Sequence, residues 1–285
     1  MVEASRILIG TSGYSFPDWV GPFYPPGTRS GDFLGHYARH FPVVEVNSTY
    51  YRIPHPRVLA QMEAKTPPGF RFVVKLNQVL THEGSLAADV VRDFLAVLEP
   101  LKSAGKYDGL LAQFPWGFQR SDANRRHLES LRRAFPEEPL FAEFRHASWV
   151  TPDLEPWLAA LDVGYCAVDE PRLPKLMPPV APLTSRDAYV RFHGRNAANW
   201  WGRGERGASP GAPVVAPSGG RSAGSSDRYD WEYSETELRE WVGKIADLAA
   251  RARRTYLFFN NCHAGQAARS AKLMQELLRQ QELPA

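Results

Sequence analysis

Eight short apolar runs are spaced along this chain, and most of them stop at a charged or amide residue. One run begins at Val43, contains Glu45 and closes on Asn47, and another begins at Phe72 and closes on Lys75. Later runs contain or end at Gln113, Glu143 and Arg145, Asp169, Arg191 and His193, and Asn260 and Asn261. Strands buried on both faces read as nearly continuous apolar segments, so packing does not account for these polar ends. We interpret them as the rim of one shared site.

The apolar runs predict eight β-strands, and segments of helical periodicity follow most of them. The predicted strands are 6–10, 43–47, 70–76, 109–114, 140–145, 164–169, 188–193 and 254–260. Eight strands over a length of about 250 residues are the pattern of a closed (β/α)8 barrel. The open, doubly wound sheet is the alternative, but Gly10-Thr11-Ser12-Gly13 lacks the spacing of a glycine-rich phosphate turn. We therefore predict an α/β fold with a single TIM-barrel domain over residues 1–285.

The composition is that of a soluble globular protein, with 44% apolar and 23% charged residues. The sequence has no run of the roughly 18 apolar residues that a membrane span needs, and its first residues do not resemble a signal peptide. We therefore expect a cytoplasmic protein with no membrane partner. Cys166 and Cys262 lie far apart in apolar runs, which predicts buried free thiols. The net charge of +3 permits an anionic partner, such as nucleic acid, without requiring one.

One segment stands outside the alternation of strands and helices. Residues 202–226 are rich in Gly, Pro, Ala and Ser, and Val214-Val215 is their isolated apolar pair. A segment of this composition buries too little surface to order itself. We predict a flexible loop insertion after strand seven, on the same face as the polar strand ends.

In a barrel the C-terminal ends of all eight strands converge on one face, where barrel enzymes carry their active sites. Alternate residues of a strand share a face. This spacing relates three pairs of polar residues, Glu45 and Asn47, Glu143 and Arg145, and Arg191 and His193. Positions that face the helices should be apolar, so we place these pairs at the mouth of the barrel lumen. A buried ion-pair network without a catalytic role is the alternative interpretation.

The residue types at this mouth suggest acid–base chemistry on an anionic substrate. The candidate catalytic residues are Glu143, His193, Glu45, Asp169 and His82. The candidate substrate- or phosphate-binding residues are Lys75, Arg145, Arg191, Asn47, Gln113, Asn260, Asn261, Tyr14 and Trp149. Glu and His at separate strand ends could also hold a divalent metal ion, although no HxH, HxxxH or DxD spacing supports one. The sequence identifies no other cofactor.

Several strings resemble the DUF72, or YecE-like, family, in order and across essentially the whole chain. They include Gly10-Thr11-Ser12-Gly13-Tyr14, Glu45-Val46-Asn47-Ser48-Thr49, Gln113-Phe114-Pro115, Glu143-Phe144-Arg145-His146, Arg191-Phe192-His193-Gly194-Arg195 and Phe259-Asn260-Asn261. The resemblance implies a TIM barrel similar to the xylose isomerase and endonuclease IV group, whose members bind metals and phosphorylated or sugar substrates. This chain has too few His at its strand ends for a trinuclear cluster. Two departures are a longer segment after Trp201 and Ser270 where Asn is expected.

The sequence is compatible with three functions. The first is a hydrolase or lyase acting on a phosphate-containing substrate such as a nucleic-acid phosphodiester. In it Lys75, Arg145 and Arg191 hold the phosphate, Glu143 is the general base, and His193 or His82 is the acid. The second is a sugar or sugar-phosphate enzyme with Glu45 and Glu143 as paired carboxylates. The third is a non-enzymatic protein that binds nucleic acid or nucleotides through loop aromatics and arginines. The oligomeric state is not indicated.

Overall fold

Eight parallel strands close into a barrel in the computed structural model of the chain, which describes residues 6–201 and 227–283. The strands are β1 (Arg6–Ser12), β2 (Val43–Val46), β3 (Arg71–Lys75), β4 (Tyr107–Gln113), β5 (Leu140–Glu143), β6 (Val163–Asp169), β7 (Ala188–Phe192) and β8 (Arg254–Phe259). Each strand pairs with its neighbour along the chain, and β8 pairs with β1 to complete the ring. The predicted (β/α)8 TIM barrel is therefore confirmed.

Helices connect most consecutive strands. They are α1 (Phe33–Tyr37), α2 (Ser48–Tyr51), α3 (Pro56–Ala64), α4 (Gln78–Thr81), α5 (Ala88–Ser103), α6 (Asp122–Ala134), α7 (Leu154–Ala160), α8 (Glu235–Arg251) and α9 (Gln266–Gln280). The longer helices bury one apolar stripe against the outer face of the barrel. At the start of α8, Ser234 and Glu237 form a capping box, in which each side chain accepts the other residue's backbone N–H.

Most strands end one or two residues before the predicted boundary. β5 ends at Glu143 rather than at residue 145, and β7 ends at Phe192, directly before His193. Glu143 is also the last β5 residue in register with β4, opposite Gln113. Lys75, Gln113 and Glu143 are the last residues of their strands, and Glu45 and Arg191 lie one residue before the ends of β2 and β7. These polar residues therefore lie at the C-terminal ends of the strands, beside the mouth.

Aromatic side chains fill the barrel interior beneath this polar ring. The rings of Phe141, Tyr189 and Tyr256 have centroids 4.7–6.1 Å apart. At the opposite end of the lumen, Asp108 accepts hydrogen bonds of 2.8 Å from the Tyr256 hydroxyl and from Arg254. A packed interior of this kind is usual for a TIM barrel and leaves the C-terminal mouth as the place for chemistry.

The other predictions about the chain have different outcomes. Within the two described ranges, none of the helices has the length and apolar character needed to cross a membrane. Cys166 and Cys262 are buried free thiols, as predicted. The predicted flexible insertion at 202–226 lies outside the described residues.

Candidate functional site

A buried arginine joins two buried carboxylates at the C-terminal mouth. Arg191 donates through Nη1 to Glu143 Oε2 at 2.6 Å and through Nη2 to Glu45 Oε1 at 2.7 Å. Nη2 also donates to Ser12 Oγ at 3.2 Å, and the Tyr189 hydroxyl donates to Glu45 Oε2 at 2.6 Å. Both carboxylates are 0% exposed and Arg191 is 1% exposed. These three charged side chains form the ionic floor of the mouth.

The arginines beside Glu143 keep its carboxylate ionised. Burial by itself would raise the pKa of Glu143, but the charges of Arg145 and Arg191 outweigh burial and hold this pKa well below its usual range. Arg145 contributes at close range, with its Nε 2.5 Å from Glu143 Oε1. Burial also disfavours the charged form of Arg191, yet the neighbouring carboxylates hold its pKa above the ordinary value. Glu143 is consequently an anchor for Arg145 and Arg191 and a weak proton acceptor.

His193 is held as a neutral imidazole between Glu143 and Asn260. Its Nε2 lies 3.2 Å from Glu143 Oε1, and its Nδ1 lies 3.1 Å from Asn260 Nδ2. With the Asn260 amide assigned in this orientation, Nδ1 accepts a hydrogen bond and Nε2–H donates one to the carboxylate. Burial, followed by the charge of Arg145, lowers the pKa of His193 to about 3. The ring therefore presents an N–H donor, not an imidazolium, at neutral pH.

Lys75 ends β3 and reaches the same mouth. Its Nζ donates to Gln113 Oε1 at 2.6 Å and lies 4.3 Å from the centre of the Tyr50 ring. Burial, followed by the charge of Arg191, lowers the pKa of Lys75 to about 7, although nearby carboxylates favour the charged form. An amine with this pKa gains and loses a proton near neutral pH, which suits acid–base chemistry.

His82 lies on the Lys75 side of the mouth, at the end of α4. Its ring centroid is 5.1 Å from that of Tyr50, and its Nδ1 is 2.9 Å from Thr81 Oγ1. Burial and then the charges of Lys75 and Arg145 lower the pKa of His82 to about 4. Both candidate histidines are thus uncharged at neutral pH.

Glu170 belongs to the cluster although the sequence did not single it out. Its Oε2 lies 3.7 Å from Arg145 Nη1, and its Oε1 accepts the Met177 backbone N–H at 2.9 Å. Burial raises the pKa of Glu170 to about 7 despite the opposing charge of Arg145. Glu170 lies on the same strand face as Cys166, whose Sγ lies 3.8 Å from Glu143 Oε2, and this contact, which the sequence does not reveal, identifies the lumen side of β6.

We expect Glu170→Gln to change how stability depends on pH. The pKa of Glu170 is about 7 in the folded chain against an ordinary 4.5, so the folded state binds more protons between these values. The wild-type free energy of unfolding should therefore fall by about 1–3 kcal/mol as pH rises through this window. Glu170→Gln keeps an acceptor for the Met177 N–H, and its free energy of unfolding should not show this decrease with pH.

Urea unfolding between about pH 5 and pH 8 measures the effect of Glu170→Gln. Glu99→Gln, on the exposed side of α5, is the matched control and should leave the pH dependence unchanged. The same pH dependence in wild type and Glu170→Gln would contradict the expectation.

Asp169 faces the helix layer, whereas the sequence predicted it at the mouth of the lumen. Its carboxylate faces the helices, where Oδ1 and Oδ2 accept bonds of 2.8 and 2.7 Å from Arg195. The Tyr233 hydroxyl and the Trp241 indole N–H complete its partners at 2.8 and 2.6 Å. Because successive strand residues alternate between faces, Asp169 points away from Glu143 while Glu170 points toward it. Asp169 fastens α8 and the segment after β7 to the barrel.

Two further predicted binding residues, Trp149 and Asn261, are also buried and bonded to other parts of the protein. Trp149 is 1% exposed, stacks on Phe144 at 4.4 Å and donates its indole N–H to the Phe118 carbonyl. Asn261 is buried and donates to the Trp231 carbonyl at 2.7 Å and to Ser270 Oγ at 3.2 Å. The serine that departs from the family pattern thus accepts a bond from a residue next to the mouth.

Asn47 and Tyr14 follow β2 and β1 at the mouth. Asn47 Oδ1 is buried and has no hydrogen-bond partner within residues 6–201 and 227–283. Tyr14 is half-buried, and its ring centroid lies 6.2 Å from that of Tyr37. The predicted residues that contacts and charges bring into one cluster are Glu45, Glu143, His193, His82, Lys75, Arg145, Arg191, Gln113 and Asn260.

No group of three or more His, Cys, Asp or Glu side chains in the described parts of the chain is arranged to hold a metal ion. The two central carboxylates, Glu45 and Glu143, are bonded to arginines instead. A carboxylate whose oxygens accept hydrogen bonds from guanidinium groups has little capacity left for a cation.

Aromatic side chains surround the mouth above the ionic floor, on the side toward solvent. Tyr51 is 75% exposed, and the Tyr229 ring lies 6.0 Å from the His193 ring. Trp116, which follows β4, packs edge-on against Trp201 at 5.4 Å. We call Tyr51, Tyr229, Trp116 and Trp201 the aromatic rim.

Two curated relatives match this chain in sequence over most of their own length. The chain is 30% identical to the UPF0759 protein YunF of Bacillus subtilis, over 95% of this chain and 94% of YunF. It is 28% identical to the UPF0759 protein YecE of Escherichia coli K12, over 66% of this chain and 74% of YecE.

Solved structures agree with these sequence matches. A DUF72 family protein from Thermotoga maritima superposes with a TM-score of 0.82 at 37% identity, covering 96% of this chain and 99% of that protein. One from Enterococcus faecalis gives a TM-score of 0.79 at 25% identity, covering 96% of both chains. The family model described as "Protein of unknown function DUF72" matches residues 8–285. This barrel, with its ionic mouth, therefore belongs to the DUF72 family.

Proposed function

We propose that this protein is an enzyme, a hydrolase or lyase, that acts on a phosphate-containing substrate at the mouth of its barrel. The observation that carries the proposal is a half-buried lysine with a pKa of about 7, Lys75, in the same mouth as Arg145. Arg145 is 8% exposed, whereas the ionic floor is closed to solvent. A guanidinium suits the binding of a phosphate group, and an amine that titrates near neutrality suits proton exchange with the substrate.

The role of each charged group in the mouth follows from the hydrogen bonds that it already makes. Glu143 accepts hydrogen bonds from Arg191 and His193, so it anchors the cluster and leaves proton abstraction to Lys75. Arg191 binds both floor carboxylates through its two terminal nitrogens and positions them, so we assign the phosphate to Arg145 instead. A neutral His193 acts as a hydrogen-bond donor that orients Glu143.

The aromatic rim supports a nucleic-acid strand as the phosphate-containing substrate. Bases stack on exposed aromatic faces with little sequence preference, and Tyr51 offers such a face beside the mouth. The sugar-enzyme alternative needs one carboxyl group that donates a proton and a second that acts as base or nucleophile. Glu45 and Glu143 both accept hydrogen bonds from Arg191, which disfavours these roles.

The test is a product search with the purified protein. Single-stranded and duplex oligonucleotides, a chromogenic phosphodiester and a panel of sugar phosphates are incubated with it, and products are identified by mass spectrometry. Cleavage or elimination at a phosphate-bearing substrate supports the proposal. Binding of nucleic acid that weakens steeply with salt, without any product, would support the non-enzymatic alternative instead.

Arg145→Lys is expected to weaken phosphate binding by about tenfold, or about 1.4 kcal/mol. Lysine keeps the positive charge but loses the planar fork that grips phosphate and Glu143 together. The effect should appear in KM, or in the Kd for inorganic phosphate measured by calorimetry. Arg239→Lys, in an exposed pair with Glu235 on α8, is the control. Unchanged phosphate affinity in Arg145→Lys would contradict the assigned role.

A further inference from the structure

The surroundings of the Lys75 amine are those of a nucleophile. Within the part of the chain that the structure describes, Lys75 forms no ion pair with a carboxylate, and its polar partner is the neutral amide of Gln113. Gln113 Nε2 donates to the Phe114 carbonyl at 3.2 Å, which fixes the amide so that its oxygen faces the amine. The amine is thereby held at a defined point of the mouth.

Burial is the main cause that favours a free amine at Lys75, and the charges that face it act in both directions. Arg191 and Arg145 oppose its protonation, whereas the floor carboxylates Glu143 and Glu45 favour it. The neighbouring ring systems add no charge, because His82 is neutral and Tyr50 keeps its proton, with its pKa raised to about 12 chiefly by burial. Lysines desolvated beside other cations are the ones that enzymes use as covalent nucleophiles toward carbonyl groups.

We propose that Lys75 forms an imine with a substrate that carries both a carbonyl group and a phosphate group. This inference rests on the proposed function and selects its lyase branch. The Nζ lone pair attacks the carbonyl carbon and forms a C–N bond, and a proton moves from nitrogen to oxygen to give a carbinolamine. Loss of that hydroxyl with a proton, as water, gives the imine. The sum is amine plus carbonyl to imine plus water, without oxidation or reduction.

The imine uses both the charge of the floor carboxylates and the guanidinium of Arg145. A protonated imine carries positive charge, and the nearby carboxylates of Glu45 and Glu143 stabilise it through space. The phosphate of the same substrate meets Arg145, which holds the carbonyl carbon near Nζ. Electron withdrawal by the protonated imine then favours cleavage or elimination at the adjacent carbon, which is lyase chemistry.

The test traps the imine by borohydride reduction. The full-length protein is incubated at about pH 7 with pyridoxal 5′-phosphate or glyceraldehyde 3-phosphate, reduced, and mapped by peptide mass spectrometry. We expect labelling of Lys75 at least about tenfold faster than labelling of Lys65, an exposed lysine outside the mouth. Inorganic phosphate should slow it. Lys75→Arg should lose this adduct and Lys65→Arg should keep it.

The outcomes separate the imine from the proposed function. If inorganic phosphate binds but Lys75 is labelled no faster than Lys65, the imine is overturned while phosphate recognition stands. If Lys75 is labelled rapidly by these probes and equally by carbonyl compounds without phosphate, the imine is supported and the phosphate part of the proposed function fails. Because the label is mapped in the wild-type protein, the result does not depend on how Lys75→Arg folds.

Discussion

Lys75→Met is expected to lower kcat by about 10²- to 10⁴-fold on the phosphate-containing substrate that the wild type converts. Methionine fills a similar volume and keeps contact with the Tyr50 ring, but it removes the amine that exchanges protons or attacks the substrate. Folding should tolerate the change, because burial already disfavours the charged amine.

The measurement for Lys75→Met is kcat and KM with a thermal unfolding curve on the same sample. Lys65→Met, on the exposed surface, should match the wild type in both. The wild-type pH–rate profile should carry a limb with a pKa of about 7, reporting the Lys75 amine, and the variant should lose that limb. A folded Lys75→Met protein with wild-type kcat would remove Lys75 from the mechanism.

The sequence predicted the barrel and the central cluster because both depend on local periodicity. Apolar runs at regular intervals specified eight strands, and the two-residue spacing placed Arg191 and His193 on one face. The structure brings that pair to Glu143, and Glu45 joins from β2. Polar residues at strand ends were informative because nothing in core packing requires them there.

The sequence could not predict which of Asp169 and Glu170 faces the lumen and which faces the helices. Strands of a TIM barrel are buried on both faces, so polarity at the end of β6 did not reveal which residue faces the lumen. The partners that draw Asp169 outward, Arg195 and Trp241, are distant in sequence. Which arginine bridges the two floor carboxylates likewise depends on pairing in space, and this distinguishes Arg191, which binds both Glu45 and Glu143, from Arg145.

Arg191→Met is expected to destabilise the protein by about 3–5 kcal/mol at neutral pH. Arg191 is the shared partner of Glu45 and Glu143, both 0% exposed, so its removal leaves Glu45 bonded to the Tyr189 hydroxyl and to no arginine in the described residues. Arg145 still faces Glu143 and limits the damage on that side. The cost therefore comes mainly from uncompensated negative charge in the floor, more than from lost packing volume.

Because its cost comes from uncompensated charge, Arg191→Met should behave differently from a variant that only opens a cavity. An uncompensated buried carboxylate raises its own pKa and takes up a proton, so the destabilisation should shrink as pH falls from about 8 to about 5. Adding Glu45→Gln to Arg191→Met should restore part of the stability for the same reason. Arg239→Met, which breaks an exposed pair with Glu235, should cost about 0.5 kcal/mol or less. Urea unfolding measures all four proteins, and a pH-independent loss in Arg191→Met would show that volume, not charge, dominates this position.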